Sequence, residues 1–79
     1  MVQVKHKTLD DYVERIKAHI LKRYPMLEFE VVKWNERDAT VYYRPYSEEN
    51  EYPIVERSAN LTTDALIEGG YHIYVIPAA

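Results

Sequence analysis

The chain has 79 residues, of which 47% are hydrophobic and 29% charged, with a net charge of −3 and no cysteine. That is room for one globular domain, and it excludes disulfides, thiolate metal sites and a thiol nucleophile. No apolar run approaches the roughly 18 residues of a membrane span, and a net negative chain gives no support for neutralising a phosphate backbone.

A domain of this size buries only about 60% of the surface its unfolded chain exposes. Small domains offset that with disulfides, metals or association, and without cysteine association is the simplest route. Two glycines and four prolines leave no flexible linker. Met1 to Lys7 carries basic residues with no apolar stretch behind them, which is not the pattern of a signal peptide. It reads as disordered chain or a short extra strand before a single domain. The lack of cysteine fits a cytoplasmic setting.

Thr8-Leu9-Asp10-Asp11 reads as a helix start, with Thr8 capping and two acids at the positive end of the helix dipole. Leu9, Tyr12, Val13, Ile16, Ile20 and Tyr24 follow at spacings of three and four, one apolar helical face. Pro25 stops the helix. Leu27 to Trp34 alternates as a strand. Asn35-Glu36-Arg37-Asp38 is turn chemistry. Ala39 to Tyr46 is a second strand, rich in β-branched and aromatic residues. The two form a hairpin, with one plausible register setting Val32 opposite Tyr42 and Glu30 opposite Arg44.

Ser47 to Glu51 reads as a polar loop. Tyr52 to Glu56 has two readings, a short strand or the start of a helix with Pro53 in its first turn. The helix is the better reading, because the apolar spacing persists to Glu68. Val55, Ala59, Thr62 and Leu66 would be buried, with Ile54, Leu61 and Ala65 beside them. Gly69-Gly70 ends it. Tyr71 to Ile76 is the last strand, apolar on both faces.

The expected fold is therefore α+β and two-layered, ordered helix-strand-strand-helix-strand, with two helices on one face of a three-stranded mixed sheet. A right-handed crossover into the third strand leads to the expectation of spatial order 2-1-3. The element order resembles that of BON domains and of the minimal core of KH domains. KH domains bind nucleic acid through a G-x-x-G loop between two helices, which this chain lacks. The resemblance is architectural, and architecture carries no function by itself.

Strand alternation gives the sharpest functional expectation. Phe29, Val31, Val41, Tyr43, Ile73 and Val75 should face the helices. The other face then carries Trp34, Tyr42, Arg44, Tyr46, His72 and Tyr74, together with Glu28, Glu30, Val32, Thr40 and Ile76. With both helices on one side, this aromatic face meets water, which marks either a solvated surface or an interface. Chemistry-bearing motifs are missing: the three histidines are far apart, no serine or threonine sits in a nucleophile motif, and Gly69-Gly70 follows a helix where a phosphate loop precedes one. No cofactor, metal site or catalytic set is expected. The leading expectation is a non-enzymatic module that forms a homodimer or meets a protein partner through Trp34, Tyr42, Arg44, Tyr46, His72 and Tyr74. Stacking of single-stranded nucleic acid on the rings and a small-molecule regulatory domain are the alternatives.

Overall fold

The computed structural model describes residues 8–45 and 48–78. The elements are α1 (Leu9–Arg23), β1 (Glu28–Lys33), β2 (Asp38–Arg44), α2 (Glu48–Gly69) and β3 (His72–Pro77). Residues 1–7 and Tyr46, for which an extra strand and a place on the open face were expected, lie outside the described residues.

α1 begins as its sequence dictates. The Thr8 hydroxyl accepts the Asp11 amide, and the Asp11 carboxylate accepts the Thr8 amide, closing a capping box. Leu9, Tyr12, Val13, Ile16 and Ile20 are buried, the expected stripe. At Tyr24 the backbone leaves helical geometry just before Pro25. The Asn35 side chain then builds the hairpin turn, its Oδ1 accepting from the amides of Arg37 and Asp38 at 2.8 and 2.9 Å.

The two-layer α+β architecture is as expected, but the strand order is not. It runs β1-β2-β3, with β1 antiparallel and β3 parallel to β2, whereas 2-1-3 would have put β1 in the middle. The handedness rule fixes how a crossover turns, not on which side of β2 the hairpin partner lies. Composition and burial agree with the observed order. β1 carries Glu28, Glu30 and Lys33, which need water and suit an edge strand. Ala39, Val41 and Tyr43 of β2 are buried at the centre. The hairpin register also moves by two residues, pairing Val32 with Thr40, Glu30 with Tyr42 and Glu28 with Arg44. A shift of two keeps every side chain on its face. The Glu30–Arg44 ion pair still forms, at 3.0 Å, as a diagonal neighbour.

α2 differs from expectation in two ways. It starts at Glu48, so Glu48–Glu51, read as loop, belongs to the helix, and Pro53 is its sixth residue. The first four helix amides have no intrahelical partner in any case, so the proline removes one bond close to that end. The buried face is also rotated. Ile54, Ser58 and Ala65 are buried and Leu61 is half-buried, while Val55, Ala59 and Leu66 are exposed. Gly70 ends the helix at φ +69°, a conformation glycine adopts freely. The Arg37 guanidinium donates to the Gly69 carbonyl at 2.9 Å, a cation at the negative end of the helix.

The two helices run against each other, and their contact is marked by the Tyr12 hydroxyl donating to the Glu68 carboxylate at 2.7 Å. That hydrogen bond, with burial and the Glu68 charge, pushes the Tyr12 pKa up to about 12. Ile16, Ile20, Val41, Tyr43 and Ile54 fill the core between helices and sheet.

Candidate interface on the open sheet face

The even-numbered strand residues from β1 through β3 point away from the helices, and the register arranges them in rows. Val32, Thr40 and Tyr74 form one row, and Glu30, Tyr42 and Ile76 the next. Trp34 lies just beyond β1, its amide donating to the Asp38 carbonyl at 2.9 Å, and so heads the row of Asp38 and His72.

Trp34 organises this face. Its indole N–H donates to the Thr40 hydroxyl at 2.9 Å, which draws the ring over the middle of the sheet. Thr40 is thereby buried on a face that neither α1 nor α2 covers, while Trp34 itself stays 61% exposed. The threonine supplies the one polar partner the indole needs, and the ring's apolar body faces outward. Tyr74 is 56% and Ile76 41% exposed beside it, and Tyr42 is half-buried between Glu30 and Ile76. Taking about 200 Å² for a whole aromatic side chain, Trp34 and Tyr74 alone hold out roughly 250 Å². The Glu30–Arg44 pair closes the patch at one end, and exposed His72 lies at the other.

Of the residues expected on this surface, Trp34, Tyr42, Arg44, His72 and Tyr74 share it. Arg44 stands at its margin, with its guanidinium held by Glu30. Two contributors were placed on this face by alternation but left out of its expected contact set. Thr40 matters as the anchor of Trp34, a cross-strand contact that no spacing rule reports. Ile76 adds exposed apolar surface beside Tyr74.

Among the described residues, no group of three or more histidine, aspartate or glutamate side chains could hold a metal ion. No helix among them is long and apolar enough to cross a membrane. Compared with protein-family models, curated proteins and solved structures, the chain matches none.

Proposed function

We propose that the chain is a non-enzymatic interaction module that self-associates, with the open aromatic face of the sheet as its contact surface. The observation that carries this reading is Trp34, pinned over Thr40 and left 61% exposed beside Tyr74 and Ile76. Folding spends a hydrogen bond on fixing a large aromatic ring in water. A pre-set, part-wet aromatic is what a contact surface requires, because little side-chain freedom is then lost on binding. The small core and absent disulfides favour association on independent grounds, and the lack of cysteine suits a reducing, cytoplasmic setting.

Light scattering coupled to size exclusion tests the proposal. The wild-type protein should move from monomer to dimer mass as its concentration rises through the micromolar range, and Trp34→Ala should need a higher concentration to do so. A monomer throughout, for both proteins, rules the proposal out.

A further inference from the structure

The helical stripe Val55, Ala59, Thr62 and Leu66 has core spacing, yet the core does not use it. Val55 is 40% and Leu66 45% exposed. The stripe instead lines a groove between α2 and the outer side of β3, in two stretches of about 280 and 220 Å³. Among the described residues, no strand pairs with that side of β3.

The backbone of β3 shows what this edge presents. The amides of His72 and Ala78 donate inward, to the carbonyls of Arg37 and Tyr43 at 2.8 and 2.9 Å. Strand alternation then turns the N–H and C=O groups of Ile73 and Val75 outward. Pro77 is also an outward position, and it has no N–H. The edge thus offers two donor-acceptor residues between two positions that cannot donate outward, since the Tyr71 amide already bonds the Ala65 carbonyl at 3.1 Å.

We infer that a second copy of this chain pairs on the β3 edge, antiparallel, about a twofold axis at Tyr74. In that register Ile73 lies opposite Val75 of the other copy and Val75 opposite its Ile73. Each such pair exchanges both N–H···O bonds, so every outward donor and acceptor of the two residues is satisfied. Moving the axis to Val75 sets Ile73 against Pro77. Moving it to Ile73 sets Val75 against Tyr71. Each register makes four interchain bonds, but either shift leaves one carbonyl of Ile73 or Val75 on each strand without a donor, so the Tyr74 register alone satisfies both residues in full. The same axis brings the two α2 helices side by side, with small Ala59 and Thr62 allowing the close approach between Val55 and Leu66 that helix packing at about 8–10 Å requires.

Area points the same way. Tyr74 and Ile76 on one side of the edge and Val55 and Leu66 on the other expose roughly 300 Å² together, at ~200 Å² or less per whole side chain. The strand backbone, Ala59 and Thr62 add to this, towards the ~600 Å² per partner of a small, transient interface. The inference keeps the self-association proposed above but moves its contact from the open face to the β3 edge, so that two sheets join into one of six strands; Trp34, beyond β1 at the far side of the sheet, then lies outside the contact, and Trp34→Ala leaves this dimer unchanged.

The absence of native cysteine makes a clean cross-linking test. Residues at a non-hydrogen-bonded antiparallel pair sit about 4.5 Å apart at Cα, within disulfide reach. Tyr74→Cys should therefore oxidise to a covalent dimer. Ile76→Cys should not, because position 76 faces position 72, and the double variant His72→Cys/Ile76→Cys should. Because Tyr74→Cys also removes a contact, amide exchange on the wild type provides a second readout. Ile73 and Val75 should slow at least tenfold between dilute and concentrated samples. A wild-type dimer without that protection, or with a cross-link at Ile76→Cys alone, overturns the edge pairing and leaves the face reading standing. Protection independent of concentration places another part of the same chain on the edge and also overturns it. A monomer at every concentration overturns both.

Discussion

Ile54 and Val55 are neighbours in α2, and their truncation should have sharply different costs. Ile54 is fully buried against α1 and the sheet, with 0% exposure. Ile54→Ala removes buried carbons and leaves a cavity that close-packed neighbours fill only in part, a loss of about 3 kcal/mol within the usual 2–5 range. Val55 is 40% exposed. Val55→Ala removes two methyl groups that are partly wet already, at about 0.8 kcal/mol per fully buried carbon, so about 1 kcal/mol is the upper expectation. A chain of this length has about 4–12 kcal/mol in total, so Ile54→Ala remains folded only if the parent is not at the bottom of that range. Ile54→Val, at about 1 kcal/mol, is the milder companion. Urea melts followed by tryptophan fluorescence, at concentrations low enough to keep the protein monomeric, resolve the difference. With a slope near ~1 kcal/mol per molar, the Ile54→Ala midpoint should fall by about 3 M and that of Val55→Ala by less than 1 M. Equal midpoints would mean that α2 turns its Val55–Leu66 stripe into the core. The groove, and the edge pairing built on it, would then be wrong.

Further outcomes follow from individual contacts. Gly70→Ala should cost about 1–2 kcal/mol in the same melts, because a Cβ is strained at φ +69°, while Asn at this position should cost less. Thr8→Ala should cost about 1 kcal/mol by breaking the capping box. Tyr12 has its pKa raised from 10 to about 12 in the folded protein. Its stabilisation is therefore fully present below pH 10 and is lost as pH rises through about 12. Tyr12→Phe should flatten the fall in thermal midpoint over that window. Thr40→Val should release the Trp34 indole, seen as a shifted emission maximum and faster quenching by acrylamide, with the sheet intact by circular dichroism.

α1 was legible throughout, because its cap, stripe and proline stop are all local signals. The face assignment of the strands was legible because it depends on parity, and it survived a register error of two residues. The strand order was not legible: the crossover rule fixes handedness and not the side of β2 on which the hairpin partner lies, and charge does not separate edge from centre, since β3 carries none and β2 carries Asp38 and Arg44. The start of α2 was missed because an acidic run followed by proline suits a helix start as well as a loop. The rotation of α2 is the more instructive case. Ile54-Val55, Leu61-Thr62 and Ala65-Leu66 form two adjacent stripes, and only packing decides which one α1 and the sheet cover. The uncovered stripe retained its core-like spacing, and it leads to the β3 edge. On the open face, Trp34 and Tyr74 could be placed from alternation alone. The bond that fixes Trp34 over Thr40 required coordinates, because it joins residues on different strands through their side chains.

The central claim is that this small domain completes its structure by meeting a second copy of itself. Sedimentation equilibrium of the wild-type protein, from low micromolar to several hundred micromolar (about the range of a weak interface), tests it most directly. The account predicts a reversible monomer–dimer equilibrium approaching twice the chain mass, with Leu66→Glu shifting the midpoint at least tenfold upward. A single species of monomer mass across the whole range would contradict it.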